Sequence, residues 1–254
     1  MFINKSGNDA NVRHLRDYYS TGYFSLDEFL EKALPTDLKM FEEAPDKAFV
    51  GRSITMDAEV QKDLVPAKQR LLAHAASSIE EDDPVYIEFG VRAGVSMSTV
   101  AENLKGQAAT LYGLDTFSGL PDGWVPLWGN RGNGKINKPR PAGEMAVKNV
   151  PDFKDRRVIL IKGLFQDTLP TIIPNLGSRR LFVNVDGDTY TAALYGLCML
   201  HPYLKHGDLV YFDEFIDELN EFAAFNDYIR SYYVKDRFKP IARAFDGLLF
   251  RYET

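Results

Sequence analysis

The chain has 254 residues, which is long enough for one large α/β domain or two small ones. Its net charge is −6. It has no basic stripe, so the charge excludes a broad nucleic-acid surface. The first residues lack the apolar core of a signal peptide, and no apolar run approaches the length of a membrane span. A single cysteine excludes an internal disulfide. We therefore expect a soluble cytoplasmic protein.

Residues 1–80 are predicted to form a helical segment that packs on a core domain of residues 81–254. Residues 57–79 carry apolar side chains at helical spacing, and Leu26–Leu34 is a second, shorter amphipathic stretch. Neither stretch contains a pattern that indicates chemistry. We expect this segment to line the site or to build the interface of a homo-oligomer.

The core domain begins with a predicted strand, Val85–Ile87, which runs into Glu88, Gly90 and Gly94 and then into a helix. Glycine permits a sharp turn and the close approach of a ligand. An acid before the turn and free N–H groups at the helix start favour a polar, partly charged ligand. The spacing differs from that of dinucleotide binders. A plain turn between strand and helix is the alternative interpretation.

The second predicted strand, Thr110–Leu114, ends in Asp115, about 20 residues beyond the glycines, where an acid can hold ribose hydroxyls. The alternative is an ordinary cap or turn residue. Residues 117–150, rich in Gly, Pro and Asn and containing two tryptophans, follow this strand. A loop of this length in a compact domain is usually functional or disordered. We interpret it as a lid that orders over the substrate, the alternative being a surface excursion.

Two later strands end in pairs of acids. Leu181–Val185 is followed by Asp186 and Asp188, and Leu209–Phe212 is followed by Asp213 and Glu214. Short apolar runs that alternate with helices indicate parallel strands, whose carboxyl ends meet at the edge where ligands bind. We therefore predict four carboxyl groups at one edge of the sheet. Capping of the following helices is the alternative for each acid.

The chain closes with two apolar runs, Pro240–Phe245 and Leu248–Tyr252, separated by Asp246-Gly247. Asp-Gly between two such runs is a strong signal for a hairpin. Val158–Ile161 is a further predicted strand. The chain is therefore predicted to contain five strands linked through helices, followed by a terminal antiparallel hairpin.

This order resembles that of the class I S-adenosylmethionine-dependent methyltransferases and, more narrowly, the macrocin O-methyltransferase family. The resemblance covers residues 84–235, and its motifs are Glu88–Gly94, Asp115–Pro121, Gly163–Pro170, Asp186–Tyr190 and Asp213–Phe215. It implies a Rossmann-like α/β fold with a mostly parallel seven-stranded sheet and a C-terminal antiparallel hairpin. The family usually has Asp-Asp-Tyr at the last motif, where this chain has Asp213-Glu214-Phe215.

The resemblance also implies an activity. It predicts an S-adenosylmethionine- and Mg²⁺-dependent O-methyltransferase that acts on a sugar hydroxyl in antibiotic or other natural-product biosynthesis. The acceptor would be a glycosylated scaffold or a nucleotide sugar. The residues predicted to bind the cofactor are Glu88, Gly90, Val91, Gly94, Ser96, Asp115, Phe117, Gly163, Phe165 and Asp167.

The resemblance assigns Asp186, Asp213 and Glu214 to the metal, and an all-oxygen set suits Mg²⁺ better than Zn²⁺. Asp186 would also accept the hydroxyl proton, with Asp188 as the competing candidate and a helix cap as the alternative role of Asp188. Two other functions stay open. One is a glycosyltransferase that holds a metal and a nucleotide sugar through the Asp-x-Asp pattern of residues 186–188, and the other is a non-catalytic cofactor-binding scaffold.

Overall fold

The computed structural model describes residues 49–50, 53–54, 58–106, 108–126, 139–217, 219–244 and 246–254, with side chains from Pro66 onward. Strands β1 (Phe49–Val50) and β2 (Ser53–Ile54) pair antiparallel, and helix α1 (Ala58–Ser77) follows. The helix predicted over residues 57–79 is confirmed. The predicted helical segment also contains the short strands β1 and β2, where aromatic and β-branched residues favour strands. The stretch Leu26–Leu34 lies outside the described residues.

Seven strands form the main sheet in the order β5-β4-β3-β6-β7-β9-β8. Their bounds are β3 Val85–Phe89, β4 Thr110–Asp115, β5 Val158–Lys162, β6 Leu181–Val185, β7 Leu209–Phe212, β8 Phe238–Ala244 and β9 Gly247–Tyr252. The first five pair in parallel, and β9 runs antiparallel to both β7 and β8. The predicted mostly parallel sheet with a terminal antiparallel hairpin is thus confirmed.

Helices connect the strands. They are α2 Val95–Asn103, α3 Phe165–Ile172, α4 Tyr190–Leu200 and α5 Glu221–Ser231, with single 3₁₀ turns at Ile173–Asn175, His201–Tyr203 and Lys235–Arg237. Helix α1 packs on α2 and on β8, and α4 packs on α5. None of the helices in the described ranges is long and apolar enough to cross a membrane.

The core lies on both faces of the central strands. Every residue of β3, β6 and β7 is buried, as expected for parallel strands covered on both sides. Beyond β7, Phe215 packs edge-to-face with ring centroids 5.1 Å from Phe250 and 5.3 Å from Phe225. Such aromatic pairs add about 0.5–1.5 kcal/mol each beyond burial alone. They fix the segment that follows β7 against the terminal hairpin.

The strand register decides what lies at the carboxyl edge. Phe89 is level with both Leu114 and Val185, and Val185 is level with Phe212. The residues that immediately follow β3, β6 and β7 therefore emerge side by side, next to Asp115 at the end of β4. The strand order reverses between β3 and β6, and open α/β sheets bind ligands in the crevice at such a point.

Candidate active site

A cavity of about 350 Å³ opens at this carboxyl edge. The turns after β3, β4 and β6 and the segment after β7 line it, and α1 closes one side. The predicted site residues in its wall are Gly90, Val91, Ser96, Asp115, Phe165, Asp186, Asp188, Asp213 and Glu214. The fold therefore brings both halves of the predicted site, the cofactor side and the acidic side, to one cavity.

The turn after β3 depends on its glycines for reasons of packing. Gly90 has a φ of +93° and Gly94 a φ of +78°, both in the left-handed region that favours glycine. A Cβ on Gly90 would lie 1.9 Å from the backbone oxygen of Asp186, and one on Gly94 would lie 2.5 Å from the ring of Phe153. Neighbouring parts of the chain thus require both glycines. Their close approach to a ligand stays a prediction.

Asp115 braces the same turn. Its Oδ2 accepts hydrogen bonds from the backbone N–H groups of Val91 (2.8 Å) and Arg92 (2.7 Å), and its Oδ1 accepts one from Phe117 (2.6 Å). Arg92 and Phe117 both have positive φ, which is uncommon for residues other than glycine. A carboxylate offers about four acceptor sites, so room remains for one further donor. The predicted ribose contact is compatible with this geometry and stays a prediction.

Five residues predicted to bind the cofactor lie outside the cavity wall: Glu88, Gly94, Phe117, Gly163 and Asp167. Glu88 is 1% exposed and accepts a 2.8 Å hydrogen bond from the hydroxyl of Tyr86, to which Asn184 also donates. Burial raises the pKa of Glu88 to about 8. The backbone N–H of Gly163 donates to the carbonyl oxygen of Asp115. In this structure Glu88 and Gly163 support the walls of the cavity.

The four acids at the strand ends gather as predicted. Burial is the main reason why the pKa values of Asp186 and Glu214 lie well above the ordinary range, and nearby carboxylates raise them further. Burial also raises the pKa of Asp188 to about 6, although a hydrogen bond with Glu214 opposes the shift. Carboxylates packed this closely in a buried edge hold protons unless a cation compensates them.

Asp188 is not the cap of helix α4. Thr189 takes that position, and its hydroxyl accepts a hydrogen bond from the N–H of Ala192. Asp188 instead has a φ of +59° in the tight turn before the cap. Such a backbone costs about 1–3 kcal/mol and persists where the surroundings enforce it. The alternative in which Asp188 caps the helix is therefore wrong, and its side chain faces the cavity.

Sequence reasoning missed Lys68, which lines the cavity from α1. Its Nζ lies 2.9 Å from Oδ2 of Asp213 and 2.8 Å from Oδ1 of Asp246. The other carboxylate oxygen of Asp213 accepts a 3.1 Å hydrogen bond from the hydroxyl of Tyr211. One signal could have revealed it: Lys68 interrupts the apolar stripe of α1 three positions before Leu71.

The acidic edge fits a divalent cation in its chemistry but does not form a preassembled metal site. Across the described residues, no three His, Cys, Asp or Glu side chains converge as metal ligands would. Glu214 Oε2 and Glu221 Oε1 are nevertheless buried without a hydrogen-bond partner. An unpartnered buried carboxylate oxygen is costly, and a hard cation with oxygen ligands would satisfy it.

The base of the predicted lid is fixed to the core. The backbone groups of Trp124 and Arg140 exchange two hydrogen bonds, of 2.9 and 2.7 Å. The indole N–H of Trp124 donates to Asp217, and Asn220 donates to both Asp217 and the carbonyl of Val125. Residues 127–138 lie outside the described part of the chain. Trp124 is thus a buried anchor, and closure of the segment over substrate stays a prediction.

The sheet order and the cavity at its switch point define an α/β fold of the class I methyltransferase type. Two solved structures share it: the O-methyltransferase NovP (22% identity, TM-score 0.54, 74% of this chain and 80% of that one) and the calicheamicin methyltransferase CalS11 (18% identity, TM-score 0.55, 98% and 95%). At these identities the likeness establishes the fold alone.

A sequence model of the macrocin O-methyltransferases matches residues 68–245, while no curated protein matches the chain significantly. The chain belongs to the macrocin O-methyltransferase family. The prediction of an S-adenosylmethionine-dependent O-methyltransferase is thereby confirmed.

Proposed function

We propose that this enzyme methylates a sugar hydroxyl in natural-product biosynthesis and that it requires Mg²⁺. One observation carries the proposal: a single cavity has the glycine turn and Asp115 on one side and four carboxyl groups on the other. A methyl donor and a metal-held acceptor need two such adjacent regions in one cavity. The family assignment supports oxygen as the methylated atom.

On the cofactor side, the residues that would hold S-adenosylmethionine are Gly90, Val91, Ser96, Asp115 and Phe165, all in the cavity wall. The cofactor supplies the electrophilic methyl group, and the protein supplies orientation and electrostatics. Asp115 already fixes the turn through three backbone hydrogen bonds. Because this turn is ordered by the chain itself, little further ordering is needed when the cofactor binds.

On the acidic side, Asp186, Asp213 and Glu214 would hold Mg²⁺. A divalent cation lowers the pKa of a bound hydroxyl by several units, which a sugar hydroxyl needs in order to act as a nucleophile. The unpartnered oxygen of Glu214 and the raised pKa values of Asp186 and Glu214 support this assignment. Small side-chain rotations have to complete the ligand set.

Asp188 is the residue we assign as acceptor of the hydroxyl proton. It lines the cavity beside the proposed ligands, it is not needed as a helix cap, and its strained backbone aims it from a tight turn. A carboxylate whose pKa is about 6 is also well matched to a reaction near neutral pH. Asp186, which the sequence favoured over Asp188 for this role, is then left to the metal.

The glycosyltransferase alternative loses its support. It assigned no role to the glycine turn or to Asp115, which here shape one wall of the cavity. The family of the chain is one of methyltransferases. A scaffold without activity would also have no use for four acids in the wall of one cavity.

The test is methyl transfer from isotopically labelled S-adenosylmethionine to three acceptor classes: glycosylated macrolides, nucleotide sugars, and the corresponding aglycones as control. We expect label in the sugar of one of the first two classes, and only with Mg²⁺ present. Labelling of the aglycone would contradict a sugar acceptor, and labelling that survives EDTA would contradict the metal.

A further inference from the structure

Lys68 is a buried cation at the acidic edge. Its side chain is 9% exposed, and its ammonium contacts Asp213 Oδ2 and Asp246 Oδ1 at 2.9 and 2.8 Å. A buried ammonium is costly unless carboxylates pair with it, and here two do. The other cationic side chain in the cavity wall, Arg92, is exposed to solvent. Within the described part of the chain, Lys68 is thus the buried positive charge of this site.

The position of Asp246 in a turn does not explain why its side chain is buried. The Asp-Gly pair shapes the turn between β8 and β9, and an aspartate in such a turn is ordinarily solvated. Here Asp246 is 2% exposed and faces Lys68. The three partners come from α1, from the end of β7 and from the terminal hairpin. The hairpin carboxylate therefore holds the lysine, and the lysine in turn reaches Asp213.

Each carboxylate oxygen of Asp213 accepts from a protein donor. Lys68 occupies one carboxylate oxygen, and the hydroxyl of Tyr211 donates to the other. A divalent cation at Asp213 would meet the ammonium at close range, and like charges in a buried site repel strongly. Asp246 offers the ammonium a second carboxylate partner, 2.8 Å from Nζ.

We propose that Lys68 is a positioning residue that acts as a displaceable counter-cation: held by Asp246, it neutralises Asp213 until a divalent cation takes its place. This inference rests on the proposed use of a metal. According to this proposal, Lys68 stabilises the acidic edge when no metal is bound and lowers the affinity of the site for the metal. Asp246 limits this loss of metal affinity, because it keeps a carboxylate partner for the displaced ammonium.

The experiment is calorimetric titration of Mg²⁺ into the full-length protein without cofactor or acceptor. Lys68→Met should bind Mg²⁺ at least about tenfold more tightly, because a positive charge next to a ligand is removed. Asp246→Asn should bind it more weakly, because the ammonium then has Asp213 as its one carboxylate partner. Lys205→Met is the matched control, since Lys205 pairs with Asp208 at the opposite end of β7 and its loss should leave the affinity unchanged.

The opposite signs separate displacement from a merely structural ion pair, since a structural pair predicts weaker binding in both variants. Equal or weaker binding by Lys68→Met overturns the inference while leaving the metal requirement intact. If Lys68→Met does not fold, Lys68→Gln takes its place with the same expected tighter binding, and equal or weaker binding by Lys68→Gln overturns the inference. Absence of Mg²⁺ binding in the wild type and in every variant rejects the metal and the displacement together.

Discussion

Replacement of Glu88 with Gln should make the fall of stability with rising pH less steep. Glu88 is 1% exposed in the central strand, and burial raises the pKa of its carboxyl from 4.5 to about 8. The unfolded chain loses this proton near pH 4.5, whereas the folded protein keeps it until about pH 8. Folding therefore takes up a proton between these values, and the free energy of unfolding falls as pH rises through that window.

The magnitude follows from this window. A single proton gives a slope of about 1.4 kcal/mol per pH unit, so Glu88 costs about 4 kcal/mol between pH 5 and pH 8. Glutamine resembles the protonated acid in shape and charge, and its carbonyl can still accept the hydrogen bond that Tyr86 donates at 2.8 Å. The part of the stability that the wild type loses through Glu88 should thus be retained at pH 8 in Glu88→Gln.

The assay is urea unfolding of the metal-free protein at four pH values from about 5 to 8, followed by circular dichroism. The other buried acids are present in both proteins, so the difference between the two slopes isolates Glu88. Glu102→Gln, on the exposed face of α2, makes the same chemical change outside the core and serves as control. Parallel curves for wild type and Glu88→Gln would refute the reasoning.

Four further predictions concern the site. Asp115→Ala should weaken binding of S-adenosylhomocysteine by about 1.5–3 kcal/mol in calorimetry, the range for a charged hydrogen bond, and unchanged affinity would refute the ribose role. EDTA should abolish methyl transfer and Mg²⁺ should restore it, so full activity in EDTA would reject the metal. Asp186→Asn should lower both the Mg²⁺ affinity and the turnover. Asp188→Asn should lower kcat ~10²–10⁴-fold and leave the Mg²⁺ affinity near normal. An equal loss of Mg²⁺ affinity in both variants would argue against Asp188 as the base. Protease should cut residues 117–150 more slowly once cofactor and acceptor are bound, and equal cleavage would count against a closing lid.

The sheet and its reactive edge were predictable because the signals are local. The apolar runs of β6 and β7 each end abruptly in acids, and parallel strands bring such ends to one edge without any knowledge of the packing. The hairpin likewise follows from two apolar runs around Asp246 and Gly247. These features need only periodicity, turn chemistry and the geometry of parallel sheets.

Contacts between distant parts of the chain were not predictable in the same way. From the sequence, Gly90 was expected to allow a ligand to approach the backbone. In the structure, the backbone oxygen of Asp186 is by itself enough to exclude a Cβ at this position. Lys68 pairs with Asp213, which lies 145 positions further along the chain. Sequence periodicity gives no information on contacts over such a separation. The choice between Thr189 and Asp188 as cap of α4 follows from the backbone, in which Asp188 has a φ of +59° and Thr189 an extended conformation, and no local sequence pattern shows this.

The paired backbone bonds between Trp124 and Arg140 have a consequence for how this enzyme can vary. They hold two points of the chain together, so the residues between them start and finish at a closed base. Lengthening a chain between fixed ends costs little, about 0.6 kcal/mol for each doubling. Asp217 and Asn220 lie outside this connection, so insertions or deletions within it leave the anchor of Trp124 in place.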